Sequence, residues 1–241
     1  MNPLSRKPAS LCGSIPGLGS LRTLVGRRLY SLRTRGLSTE QIFSRIFITN
    51  QWGSRISRSG QGSDDLQTRV VAAELPRLLK DLDARSLLDV PCGDFHWMQR
   101  VDLGDVDYTG GDIVPAIIDA NRQRHGGPRR RFERLDLVVD QLPPADVVLV
   151  RDCLVHLSNT LALQALANIR RSGARWLLTT TFLERTKNED IPTGAWRPLN
   201  LELAPFHLPK PARVILEQCT EANGACTDKA LAVWPIEAIP A

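Results

Sequence analysis

The sequence predicts an α/β fold, a doubly wound and mostly parallel sheet that ends in an antiparallel C-terminal edge hairpin. Three observations predict it. Short apolar runs such as "SLLDV", "ADVVLV" and "ARWLLTTTF" have the length and β-branched content of buried strands. Amphipathic stretches of helical length, "VPAIIDANRQRHGG" and "SNTLALQALANIRRSG", fall between them, as βαβ units require. The last two runs, "RVILEQC" and "KALAVWPI", are joined by a short polar link with no helix.

The elements follow in order. Residues 1–38 scatter Pro, Gly and Ser among arginines and read as a basic, flexible extension. Residues 39–85 read as a helical cap. "TEQIFSRIF" carries Ile42, Phe43, Ile46 and Phe47 at helical spacing, "SRISRSGQGSDD" is a loop, and Asp64 or Asp65 caps a further helix. That helix carries Leu66, Val70, Leu75, Leu78, Leu79 and Leu82, with Pro76 expected to kink or restart it. From residue 86 the alternation begins: strand "SLLDV", short helix "FHWMQRV", strand "DVDYTGGDI", and a helix with Pro115 in its first turn and Gly126 past its end. "RRRFERLDL" and "ADVVLVRDC" are the third and fourth strands. A helix capped by Ser158 or Asn159 and stopped at Gly173 leads to the fifth. Residues 183–211 contain five prolines and no clear period, too long for an ordinary connector.

Charge is unevenly placed. The chain of 241 residues has a formal net charge of +5, but seven of its 31 basic residues precede the first carboxylate, Glu40. The remaining 24 face 26 acids, so the body is near neutral and a nucleic-acid face on the core is not expected. The acid-free tail has the composition of a transit peptide, of a solvated arm or of a segment touching anionic membrane. No stretch approaches the roughly 18 apolar residues of a membrane-spanning helix. Five cysteines with no CxxC pair suggest reduced thiols and a cytoplasmic setting, with a mitochondrial one if residues 1–38 are a transit segment.

In an open parallel sheet, ligands bind beyond the carboxyl ends of the strands. Asp89, Pro91, Cys92, Gly93, Asp94 and Trp97 follow the first strand; Asp112 and Ile113 close the second; Asp136 and Leu137 follow the third; Arg151, Asp152, Cys153 and His156 follow the fourth. An acid about 20 residues past the first loop suits the two hydroxyls of a ribose, although alone it also suits a helix cap. A pyrophosphate wants G-x-G-x-x-G and a bare helix N-terminus. Here Pro91 and Phe95 stand in place of two of those glycines, and Asp94 would repel phosphate. A phosphate-free nucleoside with an ammonium group fits better. The nucleoside expected is S-adenosyl-L-methionine rather than a nicotinamide cofactor.

"LLDVPCGDFHW" resembles motif I of the class I S-adenosylmethionine-dependent methyltransferases, "YTGGDIVPAIIDAN" their second-strand motif, "RLDL" the third, and "DVVLVRDCLVHLS" the segment after the fourth strand. More narrowly, "NQWGS", "SGQGS", "PCGDFHWM", "RDCLVHLS" and "NEDIPTGAWRPLNL" in that order are similar to an uncharacterised subgroup of these enzymes. The resemblance implies a Rossmann-like methyltransferase domain over residues 86–241. Asp89 and Gly93 would frame the methionine end of the donor, Asp112 the ribose and Asp136 the adenine. It does not name the acceptor, which is expected to be a small molecule.

Methyl transfer is largely alignment, with a general base needed only when the acceptor must lose a proton. His156 and Asp152 are the candidate catalytic residues; the plain alternative for His156 is packing at a helix start. Cys153 reads as a buried thiol rather than a nucleophile. "SRSGQGS" is expected to fold over the donor through backbone N–H groups, or else to be a linker. Asn188, Asp190, Trp196, Arg197 and Asn200 are candidate acceptor-binding residues, the alternative being an edge-covering loop. The four histidines, at 96, 125, 156 and 207, lack metal-ligand spacing, and no metal is expected. A catalytically silent donor-binding module, associating through the basic tail, is the alternative reading.

Overall fold

The computed structural model describes residues 19–240. A seven-stranded sheet runs in the order β3-β2-β1-β4-β5-β7-β6. Its strands are β1 (Ser86–Asp89), β2 (Asp107–Asp112), β3 (Arg130–Arg134), β4 (Val147–Val150), β5 (Trp176–Phe182), β6 (Arg213–Leu216) and β7 (Lys229–Pro235). The strands from β1 to β5 pair in parallel, while β7 lies antiparallel between β5 and β6. The doubly wound sheet with its antiparallel edge pair is therefore as the sequence predicts.

Side chains alternate across a strand, so each strand feeds two cores. Leu88, Val148, Val150, Leu177 and Trp234 meet Ala162, Ala165, Leu166 and Ile169 of α5 (Asn159–Arg171) on one face. Leu87, Val147, Leu149, Leu178 and Val233 meet Val71, Leu75 and Leu79 of α3 (Asp65–Asp81) and Ile118 of α4 (Pro115–His125) on the other. Strand order reverses between β1 and β4, which places the topological switch at the exits of those two strands.

Several elements differ from expectation. Residues 19–34 form a helix, α1 (Gly19–Thr34), within the stretch read as a flexible arm. Its inner face is held by long-range contacts: Arg27 pairs with Glu189 at 2.9 Å, and the Tyr30 hydroxyl lies against Gly194. Residues 1–18 of that arm lie outside the described residues. Helix α2 (Thr39–Ile48) begins on a capping box in which the Ser38 hydroxyl and the Gln41 side chain satisfy each other's backbone N–H. Pro76 does not restart α3, which runs unbroken from Asp65 to Asp81. The helical bond it removes is outweighed by burial of Leu75, Leu78 and Leu79 around it. Leu66 is 56% exposed, and Val71 rather than Val70 enters the core. Asp64 stands at the N-cap of α3 but its carboxylate accepts from the Ser54 hydroxyl at 2.6 Å instead of capping. Between β1 and β2 the expected helix is only a 3-10 turn, Met98–Arg100.

The position of α3 gives a direct test by urea denaturation. Leu75→Ala, which empties a fully buried site, should cost about 2–5 kcal/mol, whereas Leu66→Ala should stay within about 0.5 kcal/mol.

Candidate active site at the carboxyl edge of the sheet

The loop leaving β1 is fastened to the end of β2. Cys92 N–H donates to Gly111 O at 2.7 Å, and Gly93 N–H to the Asp112 carboxylate at 3.1 Å. The other Asp112 oxygen accepts from Val114 N–H at 2.9 Å, at the entrance to α4. Asn121 of α4 closes the ring by donating to Gly93 O at 2.8 Å. Asp112 is 4% exposed, and burial pushes its carboxyl up to about 6 against the two backbone donors. Asp89 is buried as well and accepts from the Tyr108 hydroxyl at 2.7 Å; burial pushes it up to about 7. Cys92 and Trp97 are buried in the core beneath α3, and Leu137 in the core beneath α5.

A strap from the N-terminal side crosses this loop. The Asp94 carboxylate accepts from the Ser57 hydroxyl at 2.9 and 3.0 Å, from Arg58 N–H at 2.8 Å and from the Ser59 hydroxyl at 3.2 Å. Asp94, expected at the ammonium end of a donor, therefore anchors "SRSGQGS". Gly93 has φ +54°, and a Cβ there would lie 2.2 Å from the Ser59 hydroxyl oxygen, so only glycine allows the crossing. The strap continues over β4, where a Cβ on Gly62 would lie 2.8 Å from an Asp152 oxygen.

Beneath that point lies a buried ion cluster. Arg151 pairs with Glu217 at 2.6 Å and with Asp152 at 3.3 Å, and its guanidinium lies 5.5 Å from the Trp97 ring centroid. Lys229 Nζ is 2.6 Å from Asp152, 3.5 Å from Glu217 and 3.7 Å from Glu221. Arg151 is thus spent on the cluster rather than facing a ligand. Although burial raises it, the two cations hold the Asp152 carboxyl down at about 2, so it stays ionised and makes a poor proton acceptor. Glu217 and Lys229 were not legible as site residues, because a Glu and a Lys in an edge hairpin read as solvent-facing.

His156 follows in a 3-10 turn after β4. Its Nδ1 lies 2.9 Å from Ala195 O, a pure acceptor, so Nδ1 carries the proton and Nε2 keeps its lone pair. The Trp52 ring packs on the imidazole with centroids 4.7 Å apart. Burial depresses the imidazole to about 4, keeping it neutral near pH 7. Trp52, from "NQWGS", is the site residue the functional reading of the sequence passed over.

Residues 183–212 clasp the same edge, and their polar groups serve the loop itself. Arg197 is 2% exposed and donates to Glu189 O, Leu154 O and Asn159 Oδ1. Asn188 donates to Asn200 O and Ala204 O, Asn200 to Leu183 O and Arg185 O, and Asp190 accepts from Asn159 N–H and Ile191 N–H. Trp196 is half-buried, edge-on to Phe182 at 6.0 Å. The structure gives the expected acceptor-binding residues an architectural role, and the Ala195 carbonyl of the same segment meets His156.

A cleft of about 580 Å³ opens beside Asp112, lined by Ser38, Thr39, Glu40, Ile113, Arg134, Asp136, Val139 and Asp140. Of the predicted site residues, Ile113 and Asp136 line it. The wall from α2 is pinned by the Glu40–Arg134 ion pair. A second cleft of about 540 Å³ lies beside the starts of β2 and β3, among Val101, Tyr108 and residues 125–130.

No family profile and no curated protein matches the sequence. Solved structures do match in fold. Human N-acetylserotonin methyltransferase in complex with SAM aligns with a TM-score of 0.57 at 14% identity, over 90% of this chain and 69% of that one. The N-methyltransferase NodS from Bradyrhizobium japonicum, in complex with S-adenosyl-L-homocysteine, gives 0.55 at 16% identity, over 78% and 97%. Burkholderia thailandensis 1,6-didemethyltoxoflavin-N1-methyltransferase, with 1,6-didemethyltoxoflavin and S-adenosylhomocysteine bound, gives 0.54 at 18% identity, over 80% and 86%.

The His156 tautomer has a measurable consequence. Its ring resonances should stay unchanged from pH 8 to about 5 and move only near 4; titration near the ordinary value of about 6.5 would show an exposed, unpacked imidazole.

Proposed function

Starting from a fold shared with class I methyltransferases, we propose that the chain transfers a methyl group from S-adenosylmethionine to a small-molecule acceptor. The observation that carries this reading is the Asp112 carboxylate, buried at the exit of β2 one residue before Ile113, which lines the cleft together with Asp136. A carboxylate there accepts both hydroxyls of a ribose, and an apolar side chain with an acid beyond it suits an adenine ring and its amino group. The segment after β1 argues against a dinucleotide. It has no α-helix whose N-terminus could hold a pyrophosphate, and Asp94 places a negative charge in the loop. The three neighbours with SAM or S-adenosylhomocysteine bound support the same choice.

Bound in this cleft, S-adenosylmethionine supplies an electrophilic methyl group on a sulfonium. Gly93 would frame its methionine end and Asp112 its ribose, and Ile113 and Asp136 would flank the base. His156, neutral and with Nε2 unprotonated, takes a proton from an acceptor that must lose one. Asp152, fixed by Lys229 and Arg151, sets the strap and the negative field at the exit of β4 rather than moving a proton.

Calorimetry on the full chain tests the reading. S-adenosylhomocysteine should bind and NAD should not; binding of NAD alone would overturn it, and donor binding without turnover on a metabolite extract would favour the silent module. Asp112→Asn should weaken S-adenosylhomocysteine by roughly ten-fold or more, the scale of a hydrogen bond to a charged group. Because the carboxylate must be ionised to accept both hydroxyls, affinity should fall as pH drops through about 6 in the wild type and not in the Asn variant.

A further inference from the structure

The link between β6 and β7 carries two cysteines, Cys219 and Cys226, that are 2% and 3% exposed. They pack with Val155 and Phe182 in a small cluster apart from the two main cores. The Cys219 and Cys226 side chains are hydrogen-bonded to each other. The segment between them is short and strained: Ala222 and Asn223 hold left-handed φ of +54° and +55° inside a 3-10 turn at Glu221–Gly224. Its outer residues Asn223, Gly224 and Ala225 are exposed, so local opening reaches the thiols without disturbing the sheet.

The same segment is wired to the site. Cys219 Sγ also lies 3.5 Å from Glu221 Oε2, and Glu221 is 3.7 Å from Lys229 Nζ. Lys229 in turn holds Asp152 at 2.6 Å, directly beneath Gly62 of the strap. A change at the cysteines reaches the strap through two ionic contacts.

We propose that Cys219 and Cys226 form a reversible dithiol site, oxidised by a peroxide to an intramolecular disulfide that loosens the strap through Glu221, Lys229 and Asp152. The Cys226 thiolate attacks one peroxide oxygen, the O–O bond breaks, and a sulfenic acid forms with release of water once the displaced hydroxide takes up the thiol proton. The Cys219 sulfur then attacks the sulfenic sulfur, the S–O bond breaks, and a second water leaves with the Cys219 proton. Two electrons pass from the sulfurs to the peroxide, and a small dithiol reverses the step. The bond to Cys226 and burial push the Cys219 thiol up, so Cys219 keeps its proton, shared with Glu221, and Cys226 makes the first attack. Closure removes the S–H donor from Glu221 and draws the 219–226 turn together, which shifts Glu221 against Lys229.

Graded hydrogen peroxide on the reduced full chain, read by non-reducing peptide mapping and hydrogen exchange, tests the proposal without any donor. The expected result is a loss of two hydrogens in mass, a linked 219–226 peptide as the first disulfide, recovery with dithiothreitol, and faster exchange over residues 57–63 in the oxidised form. Cys219→Ser should abolish both changes, and Cys226→Ala should do the same if the serine variant folds poorly. First oxidation at Cys12, Cys92 or Cys153, or a sulfinic acid with no disulfide, would overturn the site. A 219–226 disulfide with unchanged exchange over 57–63 would overturn the coupling. Failure of the donor-binding reading would leave this result untouched, because no step uses the donor.

Discussion

The two backbone hydrogen bonds accepted by Asp112 hold the first loop, the second strand and the fourth helix in one arrangement. Gly93 N–H comes from the loop after β1 and Val114 N–H from the start of α4, so one carboxylate sets the distance between them. Burying a carboxylate is costly, and burial pushes both Asp112 and its neighbour Asp89 well above the usual carboxylate range. Apolar residues would serve the core better at these positions. Carboxylates at the exits of adjacent parallel strands, where the field of a ligand site is built, are what the proposed nucleoside-binding edge requires.

The N-terminal segment completes that edge. Ser57, Arg58 and Ser59 hydrogen-bond Asp94, Gly62 passes over Asp152, Trp52 packs on His156, and α2 walls the cleft. Under the strap, Arg151 and Lys229 answer Asp152 and Glu217, so charges that would be intolerable singly are held as a network. The network keeps Asp152 ionised, whereas burial keeps His156, a few residues on, neutral. Separate environments push the two groups apart and divide their roles.

The sheet was legible in the sequence because parallel strands are buried on both faces and read as unbroken apolar runs. Ser158, Pro115 and Gly126 marked helix ends through local chemistry, and each stands at the end it marked. Asp112 was expected at the close of the second strand, and β2 ends on it. What escaped was set by partners far along the chain. Arg197 looked like a ligand residue, but its donors meet Leu154 and Asn159, about 40 residues away. Asp94 looked like a donor contact, yet its partners lie 35 to 37 residues upstream in a serine-rich loop. Pro76 followed a local rule that burial on both sides of it overrides.

The most direct test of the account is to irradiate the full chain with radiolabelled S-adenosylmethionine and map the labelled peptides. Label should fall on peptides carrying Ile113 and Asp136 or residues 38–40, the walls of the cleft beside Asp112, and S-adenosylhomocysteine should compete it away. Label confined to residues 101–108 and 125–130, at the second cleft, or label that S-adenosylhomocysteine does not displace, would contradict it.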